Sequence, residues 1–69
     1  MSADNMIVVK HIGNFWWVYY GSASTPPTDD DIMENGEGYA TRETAVVFAH
    51  DLERKIGYVE YGVSERQEP

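Results

Sequence analysis

Apolar and polar positions divide the chain into an alternating pair of runs, a polar gap, a helical run and one last short alternating run. The first run is MIVVKHI (6–12), rich in β-branched residues, and the second is FWWVYY (15–20). Gly13 and Asn14 separate them. Two strand-like runs around a Gly-Asn pair predict a tight hairpin, with glycine supplying the first residue of a type II′ turn. A two-residue turn sets the register. Ile12 pairs with Phe15, Lys10 with Trp17 and Val8 with Tyr19. His11 with Trp16, Val9 with Val18 and Ile7 with Tyr20 fall on the other face.

The polar gap, 21–40, is long for a structureless loop in a compact domain, so structure is expected inside it. Thr28 is placed to cap a short helical turn, with Asp29, Asp30 and Asp31 near its positive end. Asn35 and Gly36 are expected to end that turn in the left-handed conformation. Ile32 and Met33 are its only large apolar residues and are expected to pin it to the body.

The surest helix is TRETAVVFAHDLERKI, 41–56. Thr41 is its N-cap, and Ala45, Phe48, Ala49, Leu52 and Ile56 recur at helical spacing on one side. Arg54 and Lys55 favour the last turn, and Gly57 is the stop. YVEYGV (58–63) predicts a third strand, with Val59, Tyr61 and Val63 on one face and Tyr58 and Glu60 on the other. Residues 1–5 and the tail, 64–69, are polar and expected to be mobile.

The expected architecture is α+β: one domain, a two-layer β-β-α-β unit. A three-stranded, mostly antiparallel sheet carries one helix on one face. The third strand is expected beside the first, antiparallel to it, in the order 2-1-3, which puts the valine-rich strand in the centre; the alternative places it beside the second and parallel to that.

One helix covers one sheet face. Lysine resists burial more than neutral histidine does, which assigns the helix to the Ile7, Val9 and Val18 face and leaves Phe15, Trp17 and Tyr19 on the other. The Ile32–Met33 loop with Tyr39, a second copy or a different protein can cover that second face. An interface is the expectation, because Trp, Tyr and Met are enriched at interface cores.

Composition sharpens this. A chain of 69 residues builds a core giving only about 3–5 kcal/mol, so short chains usually need disulfides, a metal or a partner. Cysteine is absent, which excludes disulfides and thiolate zinc. Twelve acidic residues against five basic ones leave a formal charge of −7. Such a surface repels phosphate backbones and anionic membranes and suits a basic protein partner. No apolar stretch approaches the ~20 residues of a membrane span, and the N-terminus lacks a basic leader pattern, so the expected location is cytoplasmic.

Candidate chemistry is sparse. His11 and His50 lie on different elements, and no nucleophile accompanies either. DDDIME departs from the EF-hand spacing, and GEGYA lacks the lysine and hydroxyl of a phosphate loop. No facing carboxylate pair is placed for acid–base work. The expectation is a non-enzymatic protein, with no metal and no cofactor.

The strand, strand, helix, strand order over Met6 to Val63, the size and the acidity resemble the small phage-encoded inhibitors of the anti-CRISPR type. YATRETAVVFAHDLERKIGYVEYGV is similar to the helix-strand ending of small bacterial domains, and the placing of a helix that starts with Thr41 and Glu43 after a hairpin resembles antitoxins with a partial ribonuclease-H-like fold, whose usual DNA-binding extension is not expected here. The group has no shared motif, so no residue role is carried over. The resemblance implies a stoichiometric inhibitor of a host nucleic-acid-binding defence complex, acting in the host cytoplasm. Phe15, Trp17 and Tyr19 are the candidate anchors, and Asp29, Asp30, Asp31, Glu34 and Glu37 the acidic segment that steers approach. The alternative is a homodimeric structural or regulatory module, antitoxin-like, whose aromatic face is its dimer interface.

Overall fold

The computed structural model describes residues 4–66; the expected mobility of residues 1–3 and 67–69 lies outside them. Six elements follow in order: β1 (Asn5–Ile12), β2 (Phe15–Ser22), α1 (Asp29–Asn35), β3 (Glu37–Tyr39), α2 (Arg42–Ile56) and β4 (Val63–Arg66). They form an α+β fold with a mixed four-stranded sheet in the order β3-β2-β1-β4.

The hairpin forms in the expected register, from Ile12 against Phe15 to Ile7 against Tyr20. Gly13 has φ 64, and Asn14 stays at negative φ, as a type II′ turn requires. α2 begins where Thr41 accepts from the Thr44 amide, and ends at Gly57.

Three expectations are corrected. The sheet has four strands and the chain two helices, because Glu37–Tyr39 pairs antiparallel with Trp16–Val18. That added strand reverses the chain once more before α2. The last strand therefore returns parallel to β1, not antiparallel, although it does lie beside β1. The last strand also starts later than expected. Gly62, at φ 65, turns the chain, and its amide bonds back to the Val59 carbonyl. Residues 59–62 thus form a turn, Tyr58 before it and Tyr61 within it are exposed, and β4 runs into the tail expected to be mobile.

Apolar side chains cluster on both sheet faces. On one, Ile7, Val9 and Val18 pack against Ala45 and Ala49 of α2 and against Val59. The two alanines let the helix approach closely, and Leu52, Ile56 and Val46 close the margin. This is the face selected by the Lys10–His11 contrast. On the other, Met6 and Val8 are covered by Ile32 of α1, with Ile12, Trp17 and Tyr19 packed around them. The result is a layer on each side of the sheet, where one had been expected.

Candidate interaction surface

α1 is positioned by its own ends. Thr28 accepts from the Asp31 amide at 3.2 Å, and the Asp31 carboxylate accepts from the Thr28 amide at 3.0 Å, a reciprocal capping box. At the other end Gly36 has φ −94, so the left-handed stop does not form. Glycine is required there for space: a Cβ would lie 2.5 Å from the Ile32 carbonyl oxygen and 2.6 Å from that of Val18. The chain crosses the sheet edge at this point, leaving α1 on one face and bringing Glu37 to the other.

This crossing divides the expected site residues. Trp17 is half-buried, and its indole N–H donates to the Ile12 carbonyl at 3.3 Å. Its ring lies over Gly38. Tyr19 is half-buried too, with its ring over Gly21. Both pack on the Ile32 cluster. Phe15 stays 49% exposed and meets Trp17 edge-on at 6.3 Å. Of the two apolar residues expected to pin α1, Ile32 does so and Met33 is exposed.

The acidic residues separate likewise. Asp29 pairs with Lys10 at 2.7 Å, which explains how a lysine is accommodated on the α1 face. Asp31 serves the cap. Asp30, Glu34 and Glu37 are exposed and have no ion-pair partner among the described residues. Glu37 stands apart from the others: it is opposite Val18, on the α2 face.

A cavity of about 360 Å³ opens on that face, at the β3 edge of the sheet. Sequence reasoning missed it. Tyr20, Tyr39, Phe48 and Leu52 form its apolar lining, and Glu37, Asp51 and Lys55 its charged rim. Tyr39 and Phe48 stack at 4.9 Å, with their planes 7° apart. No local signal marked the cavity, because the three residues of β3 are too few to show a strand pattern. Burial and the Glu37 carboxylate raise the Tyr39 phenol above its ordinary value, against the opposing pull of Lys55. Lys55, bonded to Asp51 at 3.2 Å, and Arg54, at 3.3 Å, hold the Asp51 carboxyl below its ordinary range.

Other polar clusters have structural work. Asp4 accepts from the hydroxyls of Ser22 and Ser24, and the Asn5 amide donates to the Tyr20 hydroxyl and the Tyr58 carbonyl, each at 3.0 Å. Arg42 and Glu65 make a two-point contact at 2.6 and 3.0 Å that ties α2 to β4. His11 stacks on Trp16, and His50 meets Glu53 at 3.4 Å. Among the described residues there is no cluster of three metal-ligating side chains, and no helix long and apolar enough to cross a membrane. Comparison of the chain with protein-family models, with curated proteins and with solved structures finds no match.

Proposed function

We propose that the chain is a non-enzymatic protein-binding module that occupies the basic surface of a nucleic-acid-binding protein, as a stoichiometric phage-type inhibitor of a host defence complex does. The observation that carries this reading is the distribution of unneutralised charge. Of the five basic residues, Lys10, Arg42, Arg54 and Lys55 each lie within hydrogen-bonding or ion-pair distance of a carboxylate, and Arg66 reaches the Met6 sulfur instead. Asp30, Glu34 and Glu37 have no such cation among the described residues, and they lie within one short stretch of chain. A field of that sign accelerates encounter with a basic partner and disfavours DNA, RNA and anionic lipid.

The anchor set narrows from the sequence expectation. Trp17 and Tyr19 face α1, which leaves Met33 on the acidic helix and Phe15, edge-on to Trp17, as the exposed apolar residues of the expected site.

Affinity capture from a bacterial lysate tests the proposal, comparing the wild-type chain with a variant carrying Asp30→Lys and Glu34→Lys. The expected outcome is retention of a nucleic-acid-binding protein by the wild type alone, released by added DNA. Equal retention by both chains, or a retained partner indifferent to DNA, overturns it.

A further inference from the structure

The sheet leaves part of the outer edge of β2 without a strand neighbour among the described residues. β3 pairs only with Trp16–Val18, while β2 continues to Ser22. In an antiparallel pair, residues alternate between bonding the partner strand and facing away from it. The tight turn makes Ile12 and Phe15 a bonded pair. Counting along the register, Phe15, Trp17, Tyr19 and Gly21 bond β1, and Trp16, Val18, Tyr20 and Ser22 face outward. The Ala23 amide bonds the Asp4 carbonyl at 3.1 Å, as that alternation requires one pair further on. β3 takes the outward groups of Trp16 and Val18. Those of Tyr20 and Ser22 have no backbone partner among the described residues.

This open edge runs beside the aromatic cavity. Tyr20 lines it together with Glu37, Tyr39, Phe48 and Leu52. Tyr20 is 44% exposed and Phe48 47%. The charged lining comprises two carboxylates, Glu37 and Asp51, and one ammonium, Lys55, for a net −1. Asp51 and Lys55 satisfy each other, so the uncompensated charge is on Glu37.

Native sheets usually blunt an exposed edge with lysine, proline or a covering loop. Gly21 and Ser22 do none of this. An unpaired edge beside a pocket is the arrangement that strand-addition sites use: main-chain bonds hold an extended segment, and a side-chain pocket selects among segments. The pocket's aromatic surface and lone carboxylate select a cation. A second copy of this chain is the poorer occupant, because it brings another −7.

We infer that an extended segment of a basic partner protein adds to the β2 edge at Tyr20–Ser22, in line with β3, and places an arginine or lysine side chain over the Tyr39–Phe48 stack beside Glu37. The inference rests on the basic-partner reading above and adds, beside the α1 carboxylates that steer approach, a second contact for the same partner.

The test is a nuclear magnetic resonance titration of the labelled chain with a synthetic, end-blocked peptide of alternating arginine and threonine. Amide shifts are expected at Tyr20, Gly21, Ser22, Glu37 and Phe48, with slowed amide exchange at Tyr20 and Ser22. Glu37→Gln, an exposed change that leaves the sheet intact, weakens binding about fivefold, as loss of one partly exposed charge pair does. A citrulline peptide of the same sequence loses a similar factor. A peptide N-methylated at alternate amides loses the exchange protection, since it cannot add as a strand. Shifts confined to Asp30–Glu34 overturn the inference and leave the basic-partner reading standing. No saturable shifts anywhere overturn both.

Discussion

Tyr39 lies face to face on Phe48, joining the shortest strand of the sheet to the middle of α2. Aromatic pairs of this kind contribute about 0.5–1.5 kcal/mol beyond the area they bury. A double-mutant cycle with Phe48→Ala and Tyr39→Leu, read by urea unfolding, is expected to show a coupling of about 1 kcal/mol. Coupling indistinguishable from zero means the two rings act by burial alone.

Ile32 holds α1 to the sheet. It is 1% exposed and is the only fully buried side chain that α1 contributes among the described residues. Ile32→Ala is expected to cost about 2–5 kcal/mol, comparable with the whole margin of a domain this small, and Ile32→Val about 1 kcal/mol. The milder variant keeps the fold testable. In both, Trp17 becomes more accessible to iodide quenching. Unchanged quenching in the alanine variant contradicts the covering role of α1.

Gly36 and Gly13 separate two reasons for glycine. Gly36→Ala drives a Cβ into two backbone carbonyls, and overpacking of this kind costs about 1–3 kcal/mol or more. Gly13→Ala meets no atom within 4 Å, and its cost is conformational, about 1–2 kcal/mol. Amide exchange distinguishes them. Gly36→Ala loosens the Val18–Glu37 pairing, whereas Gly13→Ala leaves it protected. Equal protection in both variants contradicts the close approach at Gly36.

Alkaline pH tests the cavity's electrostatics. Tyr39 has its phenol raised above the ordinary 10.0 by burial and then by Glu37. The fold therefore favours the neutral phenol. The stability this confers is fully present below the ordinary value and is lost as pH rises through the raised one. Glu37→Gln is expected to lower the Tyr39 midpoint in a ring-resonance titration, with burial keeping it above 10.0. A midpoint unmoved by this change means that Glu37 does not reach the ring.

Asp51 gives the opposite limb. Its carboxyl lies below the ordinary 3.8, held there by Lys55 and Arg54. Its contribution is present above the unfolded value and lost as pH falls through the lowered one. Asp51→Asn should flatten the acid limb of the stability profile. An unchanged limb in acid unfolding shows that this exposed trio contributes nothing measurable, as many surface pairs do.

The local chemistry of the sequence determined the hairpin register, the start of α2 at Thr41, its stop at Gly57 and the capping of α1 by Thr28. Each depends on neighbours a few residues apart: a two-residue turn, a hydroxyl three residues before an amide, a glycine after a helical stripe. The choice of sheet face for α2 was also legible, because Lys10 and His11 differ in the cost of burial.

The tertiary structure alone decided the rest. Glu37–Tyr39 is too short to show a strand pattern, and it becomes a strand only because the β2 edge supplies its hydrogen bonds. That strand adds one reversal to the chain, so it also sets β4 parallel to β1. Ile32, rather than a partner, covers Val8, and Lys10 is tolerated there because Asp29 reaches it. The cavity follows from the same long-range pairing, which brings Tyr39 onto Phe48 and carries Glu37 away from the other acidic residues. None of these contacts is encoded between sequence neighbours; each forms where distant segments meet across the sheet.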